Sequence, residues 1–136
     1  MSRISHVLEA FAGRHVVVVG DVMLDEFARG EVRRISPEAP VPVLELTSRS
    51  HALGGAANAA ANVASLGGRA TLIGIVGTDH GASVIGSLLQ SHGIASRLVH
   101  DETRPTTHKT RLVARGQQIV RIDQETRAEP SSETRA

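Results

Sequence analysis

His51-Ala-Leu-Gly-Gly-Ala-Ala-Asn-Ala-Ala-Ala-Asn-Val-Ala-Ser-Leu-Gly-Gly68 is a run of small residues framed by two diglycines. Gly54-Gly55 permits positive φ and lets the backbone approach a ligand with no Cβ in the way. The alanines that follow predict a helix whose unpaired N–H groups and positive dipole end lie at those glycines. Gly67 or Gly68 then supplies a left-handed C-cap. A helix N-terminus of this kind suits a polar or anionic ligand, and Asn58 in its first turn could donate to and accept from a hydroxylated one. A tight strand-to-helix turn backed by a close-packed helix explains the same residues equally well.

Working outward, His15-Val-Val-Val-Val-Gly20 on one side and Ala70-Thr-Leu-Ile-Gly-Ile-Val-Gly77 on the other are continuous apolar runs. Both predict strands of a parallel sheet buried on both faces. Asp21 and Asp25 follow the first run, at the end where ligands of open α/β sheets sit. They are candidates for gripping sugar hydroxyls or a cation, although an aspartate in a loop more often caps a turn or is simply solvated. Residues 27–50 change character, with three prolines at 37, 40 and 42. Proline cannot donate to a ladder, so any strand here starts late or lies at an edge, and Val43–Thr47 is expected to pair back on the preceding segment as an antiparallel flap. Its open edges need cover, which a partner subunit could supply.

Upstream, Ile4, Val7, Leu8 and Phe11 lie at helical spacing, with Ser2 or Ser5 as cap. Downstream, Thr78 or Asp79 caps a helix whose stripe is Val84, Ile85, Leu88 and Leu89, ended by Gly93. Residues 94–100 form a weaker strand, and 106–113 with 117–123 a hairpin. Period two puts Thr107, Lys109, Arg111 and Val113 on one face, where the two cations could hold a phosphate or could be solvated edge charges. The polar tail from residue 125 to 136 has no apolar periodicity and reads as disordered.

With 136 residues there is enough chain to bury a core, and with two Phe and neither Tyr nor Trp that core must be aliphatic. The formal net charge of +1 and the dispersed arginines give no footprint for nucleic acid. The chain has no cysteine, which excludes disulfides and thiolate chemistry. No segment has the length and apolarity of a signal peptide or a membrane span, so a cytoplasmic location is expected. Neither G-x-G-x-x-G nor a P-loop is present, and the seven scattered histidines show no ligand spacing, so no metal site is expected.

Five segments together carry a family resemblance. They are Gly20-Asp-Val-Met-Leu-Asp25, Arg34-Ile-Ser-Pro-Glu-Ala-Pro-Val-Pro-Val43, Gly54-Gly-Ala-Ala-Asn58, Ala64-Ser-Leu-Gly67 and Gln117-Gln-Ile-Val-Arg-Ile-Asp123. From residue 10 to 124 the chain resembles the N-terminal half of a sugar kinase of the ribokinase (PfkB) family. The Ile35–Val43 run is similar to the branch that acts on a heptose 7-phosphate. The resemblance implies a ribokinase-like α/β fold for residues 1–124: a mostly parallel sheet flanked by helices, with an antiparallel β-lid at 27–50 that often forms a homodimer contact. It also implies that Asp25, Gly54, Gly55 and Asn58 hold the sugar, and that Lys109 and Arg111 meet its phosphate.

The reaction implied is ATP- and Mg²⁺-dependent phosphorylation of D-glycero-D-manno-heptose 7-phosphate at the anomeric hydroxyl, toward ADP-heptose and lipopolysaccharide. One departure is plain. The family's catalytic aspartate lies in a Gly-Ala-Gly-Asp-like turn beside the ATP pocket, and neither is found here. The base is expected beyond residue 136, no catalytic residue or cofactor is expected within these residues, and the chain alone is expected to bind the acceptor sugar without catalysis. A non-catalytic sugar-phosphate-binding or dimerisation module is the alternative.

Overall fold

The apolar runs and glycine punctuation produce eleven elements in a computed structural model that describes residues 3–135. In chain order these are α1 (Arg3–Glu9), β1 (His15–Val19), β2 (Val22–Ile35), β3 (Pro42–Gly54), α2 (Gly55–Ser65), β4 (Arg69–Val76), α3 (His80–Ser91), β5 (Ala95–His100), β6 (Thr107–Ala114), β7 (Gln117–Gln124) and α4 (Ser132–Arg135). Ser2, expected as a cap, the Ile4 side chain and Ala136 lie outside the described residues.

The strands form two sheets. Sheet A is parallel, in the order β1-β4-β5, and sheet B is mixed, in the order β3-β2-β6-β7. Within sheet B, β2 runs antiparallel to β3 and parallel to β6, and β6 and β7 are an antiparallel hairpin. That hairpin turns on Arg115 and Gly116, both at positive φ (50° and 76°), as a two-residue connection requires. The core lies between sheet A, helices α2 and α3, and the roots of β2 and β3; Leu24, Leu72, Ile85 and Leu89 are fully buried in it. Each such side chain contributes about 1.5–3 kcal/mol relative to exposure.

The structure corrects several expectations. β1 is not buried on both faces: Val17 and Val19 are 54% and 71% exposed, whereas Val18 between them packs against the core on the opposite face. The antiparallel flap is longer than residues 27–50. Its strands begin at Val22 and run to Gly54, since the inward–outward alternation starts as soon as the chain leaves Asp21. Asp25 is therefore on a strand and not in a loop. Nor is β6 an edge strand, because it lies between β2 and β7. β3 and β7 are the edges of sheet B, and β3 begins at Pro42, where a missing N–H is harmless. The polar tail, which composition reads as disordered, is pinned instead: Ser131 N–H donates to Asp101 Oδ2 at 2.9 Å and Arg104 Nη2 to the Ala128 carbonyl.

Candidate sugar-binding face

β2 alternates strictly at its root: Val22, Leu24, Glu26 and Ala28 are buried, whereas Met23, Asp25 and Phe27 are half-buried on the opposite face. By register that second face continues onto β3 with Ala52 and Gly54, onto β6 with Thr107, Lys109 and Arg111, and onto β7 with Arg121 and Asp123. It runs directly into the N-terminus of α2, so the strand-borne charges and the helix entry share one surface.

The two glycines at that junction are required by what lies against them. A Cβ on Gly54 would sit 2.8 Å from Asp25 Oδ2 and 2.7 Å from Met23 Cγ, so the carboxylate occupies the room a side chain would take. Gly55 has φ of +55°, and a Cβ there would strike the Asp21 carbonyl. That carbonyl accepts a hydrogen bond from Ala56 N–H at 2.9 Å, which seats the β1–β2 turn on the helix entry. Asn58 is exposed in the first turn of α2, and its amide has no partner among the described residues. Gly67, at φ +84°, ends the helix.

The cations are paired. Arg111 Nη1 donates to Asp25 Oδ1 at 2.5 Å, crossing from β6 to β2. Lys109 Nζ lies 3.3 Å from Asp123 and 3.2 Å from Glu125, and these bonds, Glu125 first, raise its pKa above the ordinary lysine value. Arg121 grips Asp123 with two bonds of 2.7 and 2.9 Å and holds that carboxyl below its usual range. The structure thus brings Asp25, Gly54, Gly55 and Arg111 together, with Lys109 directly opposite Asp25 in the β2–β6 register and bonded instead to Asp123 and Glu125.

Sequence reading passed over two features. Two guanidiniums lie over the Phe27 ring, Arg29 Cζ at 5.1 Å and Arg111 Cζ at 5.4 Å from the centroid. The i, i+2, i+4 spacing of Asp25, Phe27 and Arg29 would have flagged them once β2 was extended back to Val22. The second feature is Glu26, 4% exposed on the reverse face. It accepts from Arg49 Nη1 (2.5 Å) and Thr110 Oγ1 (3.2 Å), with His108 Nε2 at 3.0 Å. Burial opposes its charge, but these hydrogen bonds and the Arg49 and His108 charges outweigh it and lower the pKa. Among the described residues no group of three or more His, Cys, Asp or Glu side chains could hold a metal ion.

The chain is similar to known proteins. The family model described as pfkB family carbohydrate kinase matches residues 14–135. The chain is 50% identical over 124 residues to the D-beta-D-heptose 7-phosphate kinase of Bordetella bronchiseptica, covering 91% of this chain and 40% of that protein. It is 48% identical over 126 residues to the Bifunctional protein HldE of Caulobacter vibrioides, covering 92% of this chain and 26% of that one. Among solved structures, a carbohydrate kinase from Agrobacterium tumefaciens shares the fold with a TM-score of 0.66 over 81% of this chain and 35% of that one, at 23% identity. The Arabidopsis thaliana ribokinase complexed with ribose and ATP gives 0.60 at 25% identity, over 82% and 36%. The chain therefore spans less than half the length of each.

Proposed function

Since the chain belongs to the PfkB family of carbohydrate kinases, we propose that it is the acceptor-sugar side of a heptose 7-phosphate kinase. The observation that carries this reading is the Asp25 carboxylate, packed over Gly54 at the entry of α2 and oriented by Arg111. A carboxylate can accept from two neighbouring sugar hydroxyls, and the Asn58 amide can donate and accept beside it. Gly55 lets the backbone come close. Lys109 and Arg111 place positive charge toward the phosphorylated end.

The whole protein would transfer the γ-phosphoryl group of ATP to the anomeric hydroxyl of D-glycero-D-manno-heptose 7-phosphate. The product is the 1,7-bisphosphate, on the route to ADP-heptose and lipopolysaccharide. Mg²⁺ would neutralise the nucleotide charge in that reaction. The role derived for residues 3–135 is confined to the sugar: binding it, orienting the reacting hydroxyl and excluding water as the lid closes. No helix among the described residues is long and apolar enough to cross a membrane; the proposed site of action is the cytoplasm, where ATP is available.

The proposed homodimer contact lies on sheet B, which the β-lid strands β2 and β3 share with β6 and β7. On its reverse face, register aligns Leu44 and Leu46 with Val32 and Gly30, and Val120 and Ile122 with Leu112 and Thr110. Leu46, Val120 and Ile122 are exposed, an apolar surface that a second lid would cover.

Phosphorus NMR of the full-length protein with ATP and the heptose 7-phosphate tests the reaction. A new anomeric phosphate signal with ADP is expected. Its absence, with transfer to a different sugar, would reject the heptose assignment.

A further inference from the structure

We infer that Arg29 is the side chain that makes this site select a phosphorylated sugar; this rests on the sugar-phosphate reading above and names the group that recognises the phosphate. The face bearing Asp25 carries four cations: Arg29 on β2, Lys109 and Arg111 on β6, and Arg121 on β7. Three are already committed to carboxylates, Arg111 to Asp25, Lys109 to Asp123 and Glu125, and Arg121 to Asp123. Among the described residues the Arg29 guanidinium meets neutral groups, the Ser50 hydroxyl at 2.8 Å and the Phe27 ring. The next acid on its strand, Glu31, is taken by Arg33 at 2.6 Å. Register places Glu31 and its partner Glu45 on this face as well, and of the four cations Arg29 is the one without a carboxylate partner among the described residues.

Its placement suits the role. Arg29 lies on the same strand face as Asp25, with Phe27 between them, and shares that ring with Arg111. Stacking and the Ser50 bond fix the guanidinium plane, while its other N–H donors remain available for a bidentate grip on a phosphate. The register shift between Arg29 and Gly30 bends the strand at this point, as bulges beside sites commonly do. A sugar held by Asp25 would extend its phosphorylated end along β2 across Phe27, into reach of Arg29 and Arg111. Lys109, neutralised by two acids, gains less from a dianion.

Steady-state kinetics of the full-length protein with heptose 7-phosphate and with the unphosphorylated heptose test the inference, in the wild type, Arg29→Gln and Arg29→Lys. Arg29 is exposed, so its replacement leaves the core intact. Arg29→Gln is expected to lower kcat/KM for the phosphorylated sugar by about tenfold to a hundredfold, mostly through KM, because the charge-assisted grip on the phosphate is lost. Turnover of the unphosphorylated sugar should be unchanged, and Arg29→Lys should recover part of the loss. A wild type that favours the phosphorylated sugar, with Arg29→Gln favouring it equally, overturns this inference alone. Equal losses on both sugars do the same. A wild type that acts on neither sugar overturns the proposed function, and this inference with it.

Discussion

Asp25 and Gly54 depend on each other. The carboxylate fills the space a Cβ at position 54 would need, so Gly54→Ala forces one of them to move. Overpacking of this kind costs about 1–3 kcal/mol. The same shift should raise KM for the sugar phosphate, and a denaturant melt paired with kinetics on the full-length protein would show both effects together. On the reverse face, Glu26 ties three strands through Arg49 on β3 and Thr110 and His108 on β6. Glu26→Ala strips Arg49 and Thr110 of their acceptor and should destabilise by about 1–3 kcal/mol. A denaturation midpoint equal to wild type would mean that the cluster is loosely held. At this scale the candidates Asp25, Gly54, Gly55 and Asn58 were legible from residue type and local spacing. The pairing of Asp25 with Arg111 was not, because it joins residues far apart in the chain through a strand register that no local pattern encodes.

Helix and hairpin boundaries followed from caps and turns. Asp79 caps α3 by accepting from Ala82 N–H at 3.1 Å, and its other oxygen accepts from Thr106 N–H at 2.8 Å, fastening the start of α3 to the segment that enters β6. Thr106 Oγ1 in turn accepts from Gly77 N–H. Burial works against the Asp79 charge, but the Thr106 and Ala82 bonds more than offset it and lower the pKa. Asp101 anchors the tail: the Thr103 hydroxyl foremost, then Ser131 N–H, pull its pKa down from 3.8 to about 2. Carboxyls with folded values below their unfolded ones stabilise the fold fully above the unfolded pKa, and that stabilisation is lost as pH falls through the folded pKa. Thermal stability attributable to Asp101 should therefore decline between 3.8 and about 2. Asp101→Asn should flatten that part of the acid titration, and an unchanged profile would remove Asp101 as the anchor. The cap and hairpin turn were legible because they are local. The full length of β2 was obscured by the aspartates at 21 and 25, which read as loop although one of them rides a strand.

Among the described residues, apolar surface stays open at Val17 and Val19 on sheet A and at Leu46, Val120 and Ile122 on sheet B. Valine-rich strands were read as covered on both faces, and composition has no means of showing which side receives a helix. If the sheet B surface is the homodimer contact, Ile122→Glu in the full-length protein should yield monomers by sedimentation, with sheet B intact. A dimer that persists would put the contact elsewhere. The fold class was legible from the order of apolar runs and glycines, while the joining of β6 and β7 to the lid depends on long-range pairing.

The central claim is that the face organised by Asp25 binds a sugar phosphate. Calorimetric titration of heptose 7-phosphate into the full-length protein and its Asp25→Asn variant tests it most directly. The account predicts saturable binding by the wild type, a loss of about tenfold or more in the variant because hydrogen bonds to a charged group are lost, and ATP affinity unchanged. Equal sugar-phosphate affinity in the two proteins would contradict it.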